Sequence, residues 1–301
     1  MMDIFQAVIL GTIQGITEFF PISSSGHLIL LPRVFGWLPH SLAFDAILHL
    51  GTGLAVLFYF WRDWLEMLRS FAADTRYALR VMRASGMGQI DFSQASRRLL
   101  FIAAASVPVG VAGLLFDDFV ATHLRSPRII AAALFAIAIL MLLAEKVSLG
   151  KHTLSRHSEP GSESTNRILK RVQDDENYLV GIRFADALVI GFSQVLALIP
   201  GVSRSGITMT AGLFRGLSQE EAAQFSFLLA TPIVLGAGLW GLLSSSLLIT
   251  DYWPLITGFS FSFLAGLLTI KFFLRLMRHW GLLPFAVYRI FLAILVFVVF
   301  L

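Results

Sequence analysis

Ile9-Leu10-Gly11-Thr12-Ile13-Gln14-Gly15-Ile16-Thr17-Glu18-Phe19-Phe20-Pro21-Ile22-Ser23-Ser24-Ser25-Gly26-His27 carries the first apolar stretch of the chain and interrupts it. The run 4–19 falls short of the about 20 residues that a spanning helix needs. It ends in Pro-Ile-Ser-Ser-Ser-Gly rather than in a loop, and apolar sequence resumes at once in 28–31. Asp3 and Glu18 argue against a signal peptide, which wants a basic start and a small-residue cleavage site. A second stretch behaves alike: 184–199 runs into Pro200-Gly201-Val202-Ser203-Arg204-Ser205-Gly206, and 209–214 is apolar again. Offset by 180, residues 9–26 align without gaps on 189–206, with identities at Gly11/Gly191, Gln14/Gln194, Ser23/Ser203, Ser25/Ser205 and Gly26/Gly206.

The rest of the chain supplies the setting. Of 301 residues, 56% are hydrophobic and only 14% charged, against roughly 25% charged in a soluble domain. Mean hydropathy is +0.77. This excludes a disordered chain, a nucleic-acid-binding domain and an ordinary soluble enzyme. With no cysteine, disulfides, thiolate nucleophiles and Cys-ligated metals are excluded as well. Six stretches qualify as spans: 42–61, 99–116, 128–146, 222–243, 254–276 and 283–301. Segment 62–98 holds seven Arg, 147–183 six Lys or Arg, and 271–280 three, whereas 117–128 holds two and 244–253 none. The basic segments are expected on the cytoplasmic side. The short segments 4–35 and 184–215 must then each enter and leave on one side, the first from outside and the second from inside. The predicted fold is an all-α polytopic membrane protein, with six transmembrane helices and two re-entrant helical hairpins in an inverted-topology repeat. Its halves are 1–146 and 182–301, joined by a polar cytoplasmic linker at 147–181 with an insert around 155–176. Such repeats build a polar site near the midplane, where broken helices meet.

Where the repeats differ, the chemistry is divided. Glu18 faces Leu198, Ser24 faces Arg204 and His27 faces Ile207. Gln14 and Glu18, four apart, share one helix face and offer oxygens to a hard cation such as Mg²⁺ or Ca²⁺. The bland alternative is a polar stripe bonding a neighbouring helix, but a carboxylate in an apolar span favours function. Ser23, Ser24 and Ser25 precede Gly26 and a new apolar run, so one of them caps a helix whose free N–H groups suit an anion. Ser24 is the candidate nucleophile, three residues from His27. Arg204 lies in Gly201-Val202-Ser203-Arg204-Ser205-Gly206, where glycines permit close approach and the guanidinium can grip phosphate oxygens. Thr208 adds a hydroxyl. His49 reads as a packed histidine, Asp45 and Asp186 as caps or pairs, and the 27 Phe as mostly lipid-facing bulk. Together these groups suit phosphoryl transfer on a lipid-borne substrate.

At these residues the chain resembles the bacterial undecaprenyl-diphosphate phosphatases linked to bacitracin resistance. Gln14 to His27 and Pro200 to Thr208 carry the likeness, with Glu221 to Pro232 and Pro284-Phe285-Ala286-Val287-Tyr288-Arg289, and it covers nearly the whole chain. The resemblance implies hydrolysis of undecaprenyl diphosphate to undecaprenyl phosphate and inorganic phosphate, recycling the lipid carrier of the cell wall. It implies catalytic roles for Glu18, Ser24, His27 and Arg204. It also implies a divalent cation at the family's (Glu/Gln)-x-x-x-Glu motif, here Gln14 and Glu18, and an inner-membrane site facing the periplasm. Substrate contacts are expected from Ser23, Ser25, Gly26, Gly201, Ser203, Ser205, Gly206 and Thr208. The expected partners are the polyprenyl diphosphate and the bilayer, with no nucleic acid; a homodimer is left open. Gln at position 14 means that Glu18 must carry any negative charge the motif needs. The competing class is a transporter moving polyprenyl phosphate without chemistry, since transporters share inverted repeats and midplane hairpins.

Overall fold

Hydroxyl and carboxylate caps divide this apolar chain into helices. Asp3 accepts from the Gln6 N–H (2.9 Å), Ser41 from Phe44 (3.2 Å) and Ser93 from Ser96 (3.4 Å). Ser218 and Glu221 form a reciprocal capping box: each side chain accepts the other's N–H, at 3.2 and 2.8 Å. The computed structural model describes residues 3–85, 91–157, 182–244 and 252–300. Over those residues the chain is helical: α1 (Ile4–Thr17), α2 (Ser24–Val34), α3 (Leu42–Tyr59), α4 (Trp61–Ser85), α5 (Gln94–His123), α6 (Pro127–His157), α7 (Phe184–Gln194) with a 3-10 turn (Val195–Leu198), α8 (Arg204–Phe214), α9 (Gln219–Ser244), α10 (Trp253–Met277) and α11 (Leu283–Phe300).

Among the described residues, six helices are long and apolar enough to cross a membrane: Leu42–Tyr59, Gln94–Phe116, Pro127–Ser148, Gln219–Ser244, Trp253–Met277 and Leu283–Phe300. These are the six predicted spans with small shifts of end. The chain is therefore a multi-pass membrane protein. α1 and α7 are shorter apolar helices, and each is followed by a break and a second short helix. α6 continues to His157, past the predicted end of its span at 146. The insert expected around 155–176 lies largely outside the described residues, as does most of the 147–181 linker.

The halves pack by the same device. α1 lies on α10 and α7 lies on α5, each through a glycine that lets backbone meet backbone. A Cβ on Gly11 would stand 2.5 Å from the Gly258 carbonyl oxygen, and one on its repeat mate Gly191 would collide with the Ala105 carbonyl. Close approach through small residues is the usual way to pack helices in lipid, where no hydrophobic force separates protein from solvent.

Two features add to the sequence expectations. Most of the basic segment 62–98 is helical: 61–85 forms the helix α4, tied to α5 where Asp74 accepts from the Ser93 N–H (2.8 Å), Ser93 Oγ (2.7 Å) and Ser96 Oγ (2.6 Å). The phenylalanines are not all lipid-facing bulk. Phe19, Phe20, Phe227, Phe273 and Phe285 interlock with ring centroids 5.2–5.6 Å apart, directly beneath the first helix break. Contacts of this kind add about 0.5–1.5 kcal/mol per pair beyond burial.

Candidate active site

Two breaks with the same unusual backbone meet in the interior. Ser23 has φ +76° and Ser203 φ +72°, the only positive-φ residues other than glycine among those described. Such a conformation strains an L-residue and clusters at functional sites. Each serine caps the helix it precedes. Ser23 Oγ accepts from the Gly26 N–H (3.3 Å) and lies 3.4 Å from Ser25 Oγ; Ser203 Oγ accepts from the Gly206 N–H (3.1 Å) and lies 3.2 Å from Ser205 Oγ. Further first-turn N–H groups of α2 and α8 have no intrahelical acceptor, the ordinary anion-binding feature of a helix start.

The breaks are held together by two arginines. Arg289 of α11 is fully buried and its guanidinium donates only to carbonyls: Pro21 (3.1 Å) of the first break, Gly201 (2.7 Å) and Val202 (3.0 Å) of the second, and Leu134 (3.3 Å) and Ala133 (3.4 Å) of α6. Breaking a helix in an apolar interior orphans carbonyls, and Arg289 meets that demand at both breaks at once. Ser205 Oγ adds a direct bond to the Phe20 carbonyl at 3.2 Å.

Arg204 makes the second link, to an acid. Its Nη2 donates to Glu18 Oε1 at 3.0 Å and its Nη1 to the Ser226 carbonyl at 3.0 Å, while Nε is buried without a partner. Glu18 Oε2 accepts from Ser24 Oγ at 2.7 Å and from Gln14 Nε2 at 3.3 Å. Thr208 sits under Arg204, donating to its carbonyl (2.8 Å) and meeting Ser226 Oγ at 2.7 Å. The arrangement puts a hydroxyl against a carboxylate whose other oxygen is neutralised by a guanidinium. Such a hydroxyl can be deprotonated as it attacks, and such a guanidinium can pass to an incoming phosphate.

Ser24 and His27 share α2, but the structure turns His27 elsewhere. Its Nδ1 lies 2.7 Å from the Ser23 carbonyl and its Nε2 lies 2.7 Å from the Tyr288 hydroxyl. The residues expected to touch substrate separate by burial. Ser24, Ser25, His27 and Arg204 keep some exposure, whereas Ser23, Gly26, Gly201, Ser203, Ser205, Gly206 and Thr208 are buried in the frame that holds them. Asp45 pairs with His40 (2.7 Å) and Arg125 (3.4 Å), and Asp186 with Arg183 (3.0 Å) and Arg215 (2.7 Å), so both act in pairing. Sequence reasoning did not single out Ser226, Tyr288 or Arg289 as site residues. The runs 221–232 and 284–289 pointed to them only as stretches.

A cation would find a partial site. Among the described residues no group of three His, Asp or Glu converges. Gln14 Oε1 is buried with no partner, and Glu18 lies one helical turn away. A buried, unmet oxygen beside a carboxylate suits a hard ion that takes its remaining ligands from phosphate and water, as Mg²⁺ commonly does.

Comparison with known proteins places the chain in a family. The family model described as bacitracin resistance protein BacA matches residues 7–295. An undecaprenyl-diphosphatase of Thermodesulfovibrio yellowstonii is 38% identical over 304 residues, covering 100% of this chain and 98% of that protein. One of Moorella thermoacetica is 40% identical over 299 residues, covering 99% and 98%. The undecaprenyl-diphosphatase 2 of Stutzerimonas stutzeri is 38% identical over 301 residues, covering 99% of each. A match of this length takes in both helix breaks, all six spans and the arginine that joins the halves, and the chain belongs to the BacA family of bacitracin resistance proteins.

Proposed function

We propose that this chain hydrolyses undecaprenyl diphosphate to undecaprenyl phosphate and inorganic phosphate, with Ser24 as nucleophile and the site open to the outer face of the bacterial inner membrane. Family membership carries the reaction. The 2.7 Å bond from Ser24 Oγ to Glu18 Oε2 carries the assignment of roles.

The residues then act as follows. The lipid tail stays in the bilayer while the diphosphate enters between the two helix starts. Arg204 and the free N–H groups of α2 and α8 bind its oxygens, where charge grows in the transition state. Ser24 Oγ attacks the terminal phosphorus and gives its proton to Glu18. The bridging P–O bond breaks and undecaprenyl phosphate leaves. Water then cleaves the phosphoserine, releasing inorganic phosphate and returning the proton to Ser24. His27 handles protons at the opening. Gln14 and Glu18 would hold a divalent cation, which when bound neutralises phosphate charge. The hairpins are read as re-entrant because α1 and α7 are too short to cross, and the positive-inside rule sets the first break to open outward.

The test is phosphate release from undecaprenyl diphosphate by purified protein in detergent, with and without chelator. Detergent leaves no membrane to cross, so release supports hydrolysis and silence supports a transporter. A trapped phosphoserine or a burst of undecaprenyl phosphate supports Ser24 as nucleophile. Strictly linear release with no covalent adduct assigns the attack to water instead.

A further inference from the structure

His27 and Tyr288 are 261 positions apart in the chain, yet their partly exposed side chains meet beside the first break. The two rings are nearly parallel, at 9°, with centroids 5.9 Å apart, and the Tyr288 hydroxyl lies 2.7 Å from His27 Nε2. The other ring nitrogen settles the direction of that bond. A carbonyl can only accept, so Nδ1, 2.7 Å from the Ser23 carbonyl, carries the proton. In the neutral ring Nε2 is then a bare lone pair, and the tyrosine must donate to it. The same Ser23 carbonyl also accepts the His27 N–H at 3.3 Å, so the cap of α2 holds both the backbone and the ring of His27.

We propose that Tyr288 is a positioning residue for His27. It fixes the imidazole in the Nδ1–H tautomer, aims Nε2 along the opening and keeps it away from Ser24. This rests on the hydrolase reading above and deepens it. Ser24 bonds to Glu18, so His27 is free to serve protons at the mouth of the site, and Tyr288 decides which nitrogen does so. Tyr288 keeps 39% exposure and its hydroxyl oxygen can still accept, so water or a protonated phosphate oxygen can donate to it.

The test is a double-mutant cycle on phosphate release from undecaprenyl diphosphate, using wild type, Tyr288→Phe, His27→Gln and the double variant. Tyr288→Phe keeps the stacked ring and removes only the hydroxyl. Its kcat is expected to fall about ten-fold or more with KM little changed, since outer partners that orient a working histidine have effects of that order. In the His27→Gln background the same change is expected to have no further effect, because the tyrosine acts only through the ring. Additive losses overturn the proposal and leave Tyr288 as packing. A second measurement does not depend on turnover: ¹⁵N-histidine NMR, with the His27 signals assigned by their loss in His27→Gln. Wild type is expected to show a protonated Nδ1 and a bare Nε2 whose resonance moves in Tyr288→Phe. An Nε2–H tautomer overturns the proposal whatever the activity. Wild-type protein that releases no phosphate overturns the hydrolase reading itself, an outcome distinct from an active enzyme with an additive cycle.

Discussion

Ser23 and Ser203 occupy equivalent places in the two halves, with φ values of +76° and +72° and the same bond to a glycine N–H three residues on. What surrounds them differs. Before and after Ser23 stand Glu18, Ser24 and His27; at the matching positions around Ser203 stand Leu198, Arg204 and Ile207. The backbone device, a strained cap that opens a helix start in an apolar interior, is common to both halves. The reactive groups are not. Each half supplies one sign of charge, and Glu18 and Arg204 meet at 3.0 Å across the break. Neither half holds a site alone, since a lone buried carboxylate or guanidinium is costly without its partner. The comparison therefore separates a symmetric frame, whose disturbance should matter equally in both halves, from an asymmetric chemistry, whose disturbance should not.

The largest effect is expected where the asymmetry is strongest. Arg204→Ala removes the guanidinium from both Glu18 and phosphate and should lower kcat by about 10²–10³-fold, as loss of one preorganised donor does elsewhere. It also leaves Glu18, with 6% of its side chain exposed, without a counter-charge, a change that costs about 3–5 kcal/mol for a buried pair. Glu18→Gln combined with Arg204→Met should recover most of that stability and none of the activity, as read by thermal melting in detergent and by phosphate release. Near-normal turnover in Arg204→Ala would break the idea of divided chemistry.

Arg289 lies on the symmetric side of the comparison although it comes from one half. It serves Pro21 of the first break and Gly201 and Val202 of the second. Arg289→Met should destabilise both together by about 3 kcal/mol or more, because several buried carbonyls lose their donor at once. Arg289→Lys should rescue little, since an ammonium cannot span acceptors on three segments. The check is whether protease sensitivity rises at both breaks; cleavage at only one would show that the halves are held separately.

The frame itself is tested by matched pairs. Gly11→Ala and Gly191→Ala each push a methyl into a facing backbone, at Gly258 and Ala105, and should cost about 1–3 kcal/mol apiece. Ser23→Ala and Ser203→Ala should cost about 0.5–2 kcal/mol each through the lost cap, and the glycine variants less, since glycine accepts positive φ without strain. Equal melting shifts within each pair support a shared frame. A pair differing severalfold would show that one break carries a load the other does not.

Much of this was legible in the sequence, for reasons that differ by residue. The six spans show because burial in lipid demands long apolar runs, and 283–301 and Leu283–Phe300 differ by a single residue. The breaks show because Pro-Ile-Ser-Ser-Ser-Gly and Pro-Gly-Val-Ser-Arg-Ser-Gly cannot continue an apolar helix. Glu18 and Arg204 are conspicuous because charge is scarce around them. Their pairing across 186 positions, and that of His27 with Tyr288 across 261, was not legible, since no periodicity or propensity links such distant residues. Arg289 was invisible for a related reason: its partners are carbonyls, and backbone oxygens have no signature in a sequence. The short Ser24 to His27 spacing pointed to a hydrogen bond within α2, but the fold gives each a partner outside that helix. α4 was hidden by its charges, which read as topogenic arginines before they read as one face of a helix.

α4 is also where the two halves differ in length, since only residues 245–252 separate α9 from α10 whereas the first half places the 25 residues of α4 between α3 and α5. Its tie to α5 is the Asp74 carboxylate, which lies outside the spans and is held below the usual aspartate range by hydrogen bonds from Ser96 Oγ first, then from the Ser93 hydroxyl and N–H. The sign follows from that depression. The folded state favours the charged form, so the contribution is fully present above the ordinary aspartate value and is lost as pH falls through the lowered one. Melting temperature measured from neutral pH downward should therefore fall more steeply in wild type than in Asp74→Asn, with the curves converging at the acid end. Because Asp74 is only partly buried, the difference should be the smallest of those predicted here, and phosphate release at neutral pH should stay near the wild-type rate. A large loss of activity in Asp74→Asn would mean that α4 belongs to the chemistry after all, and the division between a symmetric frame and an asymmetric site would have to be drawn elsewhere.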